Sequence, residues 1–207
     1  MGEETDLVQN TYTIEEYFEM EEQSLEKHEF DNGNVIETAG AFIPHNIVSG
    51  TFLRLLENIF IQEPLPFWAL NSDIKTRLEA FNKFVYADVT VPDGNPEYYV
   101  TPAGKVRRDT ITNPLLIVEV LSEGTRHFDK GDKLDQYMTM PSFREYVLVE
   151  PETPWVRVIH LSDPATDIWQ MQTETDPAKS VRLHTLGLDL RLADLYRSVA
   201  ALPANPD

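Results

Sequence analysis

No cysteine occurs among the 207 residues. That excludes a disulfide framework, thiolate metal sites and cysteine nucleophiles. Long apolar runs are missing too: charge interrupts every one well before the roughly 20 residues that a membrane span needs. The opening segment, MGEETDLVQN, is acidic and lacks the apolar stretch of a secretory signal. These absences make the cytoplasm the default compartment and leave no expected membrane contact. Positive charge is scarce, with 17 Lys and Arg against 35 Asp and Glu, a net charge of −18. Non-specific nucleic-acid binding depends on basic residues neutralising phosphates, so the balance argues against a broad DNA-gripping face. A local basic strip or bound cations can still reverse the field near one site. The five histidines, His28, His45, His127, His160 and His184, show no paired ligand spacing. Each reads as structural or exposed, and a histidine-built metal centre of the cupin kind has no support. Glycines are too isolated for a phosphate loop or a nucleophile elbow.

What is present is enough for a core. Apolar residues make up 42% of the chain, which sets it apart from disordered sequences. The length suits one domain, expected over residues 12–200, with a flexible leader at 1–11 and a frayed tail at 201–207. Thr13 and Glu16 have capping-box spacing, so a short helix is expected to follow Thr13. Asp31-Asn32-Gly33 signals a hairpin between His28–Phe30 and Asn34–Thr38. Residues 44–62 carry apolar positions Ile47, Phe52, Leu55, Leu56, Ile59 and Phe60 at helical spacing. Strands are expected at 67–70, 74–78 and 84–91. The last alternates, with Val85, Ala87, Val89 and Val91 on one side and Phe84, Tyr86, Asp88 and Thr90 on the other. Residues 92–113 read as a long loop. Residues 115–121 form a nearly continuous apolar run, as in a strand buried on both faces. A helix over 129–140 with Asp129 at its N-cap follows. Strands at 146–149, 156–160, 168–172 and 181–184 are expected to extend the sheet, before a closing helix at 192–199.

Three acids sit oddly in this pattern. Asp88 lies within FVYADVTV, Glu119 within LLIVEVL, and Glu29 just before the hairpin turn. Carboxylates in apolar surroundings are costly unless paired or metal-bound, and Asp is a poor strand former. If the strands of Asp88 and Glu119 are neighbours, their oxygens converge on one point. Hard divalent cations take such ligands and leave other positions to water and phosphate. A metal so held activates water and stabilises charge on a phosphorus-centred transition state. Lys133, on the helix after Glu119, can return its ammonium to the carboxylates, and Tyr137 shares its face. The plainer readings are a polar strand face for Asp88 and a solvated helix lysine for Lys133.

The stretch PLLIVEVLSEGTRHFDKGDKLDQYMTMPSFREYVLVEP resembles the signature segment of the Uma-type family of bacterial proteins. YADVTV is similar to that family's Y-P-D-V-x-V segment, and HEFDNGNVIETAGA followed by His45-Asn46 resembles its N-terminal part. The likeness runs from about Tyr12 to Tyr196. That family is similar to the PD-(D/E)XK nuclease superfamily and is described as restriction-endonuclease-like. The resemblance implies an α/β (α+β) fold, with a mixed central β-sheet flanked by helices and a metal site at one sheet edge. It puts Asp88 in the place of the superfamily's first Asp, Glu119 in the place of its (D/E), and Glu29 in that of the preceding acid. The motif lysine would fall on Leu121, so its role passes to Lys133. Ala87 replaces the proline before the Asp, where no chemistry is needed. Ser122, Thr125, Arg126 and Asp129 also match, mainly as turn residues, with Arg126 a candidate phosphate contact.

These readings lead to an expected nuclease that hydrolyses phosphodiester bonds in nucleic acid, with DNA the first substrate to test. Asp88, Glu119, Lys133 and Glu29 would be its catalytic set, and Asp88, Glu119 and Glu29 would bind Mg²⁺ or Mn²⁺. The alternative is a non-catalytic interaction protein that keeps a nuclease-like fold. The acidic surface and the displaced lysine favour that alternative. A homodimer is conceivable, with Trp155 and Trp169 either at its interface or in the core.

Overall fold

The chain is seen in a computed structural model that describes residues 11–38 and 40–203. The expected leader falls outside these residues apart from its last position, and so does most of the expected tail. Thr13 caps α1 (Ile14–Gln23) with the anticipated reciprocal box: the Glu16 N–H donates to Thr13 Oγ1, and the Thr13 N–H to Glu16 Oε2 at 2.8 Å. A hairpin of β1 (His28–Asp31) and β2 (Asn34–Glu37) turns at Asn32 and Gly33, with φ of 47° and 97°. Both angles lie in the left-handed region that a tight primed turn requires. After α2 (Ile43–Gln62) come β3 (Leu70–Asn71), β4 (Lys75–Leu78), β5 (Lys83–Tyr86), β6 (Val89–Pro92), β7 (Tyr98–Val100), β8 (Val106–Ile111) and β9 (Pro114–Val120). Two short helices, α3 (Arg126–Asp129) and α4 (Asp132–Met138), precede β10 (Glu145–Val149), β11 (Val156–Asp163) and β12 (Ile168–Glu174). The hairpin β13 (Ser180–Leu183) and β14 (Leu188–Arg191) and the helix α5 (Leu192–Tyr196) close the described chain.

The strands form two large mixed sheets. One runs β2-β1-β5-β4-β8-β7, the other β12-β11-β10-β9-β6-β3. Strand β9 is central to the second sheet, parallel to β10 and antiparallel to β6. All seven of its residues are buried. Leu116, Val118 and Val120 pack on Val48, Phe52 and Leu56 of α2, in a core shared with β13, β14 and α5. Ile117 and Leu121 face the other way, into a second core with Leu134 and Tyr137 of α4 and with Leu78 and Val85 of the first sheet. A third, aromatic core fixes α1 on the far side of the first sheet through Tyr17, Phe18, Phe30, Phe84 and Tyr99. The result is the expected α+β class, with helices on the outer faces of the sheets and α4 in the core that the two sheets share.

Four local expectations need correction. The run over 84–91 is not one strand: β5 belongs to the first sheet and β6 to the second, and the chain crosses between them at Ala87 and Asp88. Val85 and Ala87 pack into one core, Val89 and Val91 into another, so the alternation that looked continuous changes sides at Asp88. Residues 92–113 are not a loop throughout, because β7 and β8 form within them. Strand β8 escapes a hydrophobic pattern because ion pairs, not apolar contacts, accompany its burial: Arg107 with Asp109 and Glu22, and Asp109 with Lys75. The helix expected over 129–140 is two helices broken at Gly131. Asp129 is no N-cap, since its own N–H already donates to the Thr125 carbonyl within α3. Finally, β13 pairs with β14 as a separate two-stranded sheet and does not extend a large one.

Candidate active site

The crossing at Ala87-Asp88 brings the acids together. Val89 pairs with Val118 and Thr90 with Ile117. Carried one step further, that register sets Asp88 opposite Glu119, and directly opposite residues share a face. The strand pairing stops there, and the Asp88 side chain takes over: its Oδ2 accepts the Val120 N–H at 2.7 Å. That bond fixes one carboxylate oxygen at the end of β9, next to Glu119.

Glu119 faces the core beneath α4, where only 5% of it is exposed. Its partner is the lysine singled out from the sequence. Lys133 Nζ lies 2.8 Å from Glu119 Oε1 and 3.8 Å from Asp129 Oδ1, and donates to the Tyr86 carbonyl at 2.9 Å. Gly131 makes this geometry possible. By breaking the helix and serving as the N-cap of α4 it starts that helix at Asp132, so Lys133 sits in the first turn and points back at β9. Tyr137 is fully buried one turn further on. Glu29 reaches the same residue, with its Oε1 accepting the Tyr86 N–H at 2.9 Å. The Tyr86 backbone therefore contacts Glu29 through its N–H and Lys133 through its carbonyl.

Two members of the cluster escaped the sequence reading. His45, in the first turn of α2, places Nε2 at 3.4 Å from Asp88 Oδ2. Its position beside Asn46 in the family-like segment was the one available signal. Asp129 was read as a cap, yet it is buried and accepts from Thr125 Oγ1 at 2.5 Å. Ser122 and Thr125 shape the turn, their hydroxyls 2.8 Å apart. Arg126, the candidate phosphate contact, instead forms a two-pronged ion pair with Glu150. Trp169 stacks on Phe143, and both Trp155 and Trp169 pack against the core of α4.

The electrostatics show a surplus of acid. Burial pushes the Glu119 carboxyl well up; Lys133 opposes that shift, and the charges of Asp129 and Asp88 add to it. Burial likewise raises Asp129, against Lys133 and Thr125, with Asp88 adding again. Burial alone would lower Lys133, but Glu119 and the surrounding acids outweigh it and hold the ammonium charged. For His45, burial works downward, and its contact with Asp88 reverses the sign and raises it. Several carboxylates thus share one ammonium and one imidazole, and their mutual repulsion adds to the burial that raises Glu119 and Asp129.

That donor set suits a hard cation. Glu119 Oε1 is buried and lacks a well-directed hydrogen bond despite its contact with Lys133. Among the described residues no three His, Asp or Glu side chains group closely enough to cage an ion unaided, and Glu29 is not gathered with Asp88 and Glu119 into such a cage. Magnesium sites commonly use one or two carboxylates, with waters and phosphate oxygens completing the shell. Asp88 and Glu119, opposite one another by strand register, are the two carboxylates that would meet that lesser demand. Among the described residues no helix is long and apolar enough to cross a membrane.

Comparisons with known proteins agree with the fold and give the family. Two uncharacterised proteins of Synechocystis sp. (strain ATCC 27184 / PCC 6803 / Kazusa) are similar along much of the chain. One is 34% identical over 138 residues, covering 67% of this chain and 74% of the relative. The other is 27% identical over 186 residues, covering 90% and 92%. A crystal structure described as a "putative nuclease belonging to DUF820", from Anabaena variabilis ATCC 29413, matches with a TM-score of 0.68. It covers 91% of this chain and 99% of the other at 13% identity, a likeness of fold alone. Residues 14–193 match the family described as "Uma2: Putative restriction endonuclease", and with that span matched the chain belongs to the Uma2 family.

Proposed function

We propose that this protein is a metal-dependent phosphodiesterase acting on nucleic acid, with DNA as the first substrate to test. The observation that carries the reading is the buried contact between Lys133 and Glu119, beside an Asp88 fixed at the end of the same strand. Asp88 and Glu119 would hold Mg²⁺ or Mn²⁺, with Glu29 assisting through water, and such an ion supplies an activated water and charge stabilisation at phosphorus. The chain's own groups do the rest. Lys133 is held by Glu119 and by the Tyr86 carbonyl, so its charge is preorganised where phosphate oxygens would gather. The Val120 N–H orients one Asp88 oxygen. His45 shares that oxygen and is placed to hold or pass a proton. A nuclease-like fold alone would not establish chemistry; the site supports it.

Incubation of wild type and Glu119→Gln with supercoiled, linear and single-stranded DNA, and with RNA, tests the reading under Mg²⁺, Mn²⁺ and EDTA. The expected result is metal-dependent cleavage by wild type and none by the variant, with matching far-ultraviolet circular dichroism. The absence of any three-ligand group among the described residues and the net charge of −18 favour a second reading, a non-catalytic interaction protein. Calorimetry separates the two. No heat of metal binding, together with no cleavage, would move the assignment to the interaction protein.

A further inference from the structure

A groove of about 260 Å³ opens beside the acid–lysine cluster. Ile36, Val85 and Phe128 give it apolar walls, and Glu29, Asp31 and Lys83 give it a polar edge. Its lining is continuous with the cluster. Glu29 takes the Tyr86 N–H, Val85 precedes Tyr86, and Phe128 precedes Asp129. Anything lodged in the groove therefore lies one residue away from the groups that face Lys133.

The chemistry of the groove is that of a flat heteroaromatic ring. Phe128 is a half-buried aromatic wall, with Lys83 Nζ 5.8 Å from its ring centre. Lys83 is in turn paired with Asp31 at 2.8 Å, so donor and acceptors stand side by side along one edge. Ile36, 51% exposed on an edge strand, leaves apolar surface in water at the mouth. The volume falls below the roughly 300–1,000 Å³ of ordinary ligand pockets, which suits one ring with its sugar and phosphate outside.

We propose that this groove receives an unpaired nucleobase, which makes single-stranded nucleic acid, and not continuous duplex, the substrate class of the site. The proposal rests on the phosphodiesterase reading above. A base in a duplex reaches such a slot only by being unpaired and unstacked, whereas a base in a single strand enters at little cost. Charge points the same way. Duplex DNA carries one negative charge per roughly 1.7 Å of axis, and this molecule carries −18. Stacking on an aromatic face needs no phosphate neutralisation and tolerates any base. The groove thus supplies attachment that the scarce Lys and Arg do not.

Fluorescence anisotropy tests it, with an end-labelled single-stranded DNA oligonucleotide of mixed sequence and the corresponding blunt duplex. Wild type, Phe128→Ala and Phe128→Tyr are titrated in EDTA and again in Ca²⁺, with thermal melts to check folding. The single strand should bind more tightly than the duplex. Phe128→Ala should weaken single-strand binding at least about fivefold, and Phe128→Tyr should restore it. Equal affinity for duplex, or single-strand binding indifferent to Phe128→Ala, would overturn the proposal. Cleavage in Mg²⁺ is followed in parallel. Duplex cleavage insensitive to Phe128 would sink the groove and leave the phosphodiesterase reading standing. Phe128-dependent single-strand binding by a protein that cuts nothing would do the reverse.

Discussion

Lys133 is the ammonium that Glu119 and Asp129 share, and all three side chains are buried. Removing one member of a buried ion pair leaves an uncompensated charge. Lys133→Met should therefore lower stability by about 3–5 kcal/mol in urea denaturation, and adding Glu119→Gln should recover part of the loss. Asp129 gives a test in pH. Burial raises its carboxyl in the folded protein, so the folded state binds the proton more tightly than the unfolded one. Stability then falls as pH rises from the ordinary Asp value, about 3.9, through the raised one. In thermal melts from about pH 4 to about pH 7, wild type should lose stability relative to Asp129→Asn; parallel profiles would contradict this. His45 has a consequence of the same sign at higher pH. Although burial works downward, Asp88 raises its folded value. Its contribution is complete below the unfolded value of about 6.5 and is lost as pH rises through the folded one. An imidazole titration by nuclear magnetic resonance should show the raised value, and Asp88→Asn should lower it, since burial then meets less opposition.

The elements show what the sequence made legible. The capping box at Thr13, the primed turn at Asn32-Gly33, the long α2 and the doubly buried β9 follow local rules, and each forms where its residues indicate. Asp88 and Glu119 stood out because a charge in an apolar run is costly, and Lys133 as the cation on the following helix; the structure sets Lys133 against Glu119, and Asp88 at the end of the same strand. What stayed hidden depends on distant partners. Strand β8 is sustained by ion pairs with α1 and β4, His45 reaches Asp88 across the fold, and the change of sheet at Asp88 leaves no break in the alternation. The β13–β14 hairpin is another such case. Its turn is fastened to the second sheet by Glu145, wholly buried on β10, which accepts the His184 and Thr185 N–H groups at 2.8 Å each and also the Thr185 hydroxyl. Glu145→Ala orphans three donors, each worth about 1–3 kcal/mol if left unsatisfied. Hydrogen exchange should then quicken over residues 180–191 before it does in β9; uniform exchange across both would refute that anchoring role.

At the scale of the whole molecule, the charge of −18 sets the terms of any encounter with polyphosphate. Basic DNA-binding proteins lose affinity steeply as salt rises because counterions are released. Here long-range repulsion is screened by the same salt. Oligonucleotide affinity should therefore vary only shallowly with ionic strength, and association rates should rise with it, which stopped-flow mixing at several salt concentrations would measure. A steep loss of affinity would reveal a basic contact surface on the folded chain.

The crossing at Ala87-Asp88 has a mechanical consequence. The link passes from one large sheet to the other within two residues, yet its Asp88 carboxylate is tied back to the Val120 N–H on the strand that carries Glu119. Strain arriving through the first sheet therefore meets that anchor before it reaches the pair of acids, which the second sheet holds as a jig holds a workpiece.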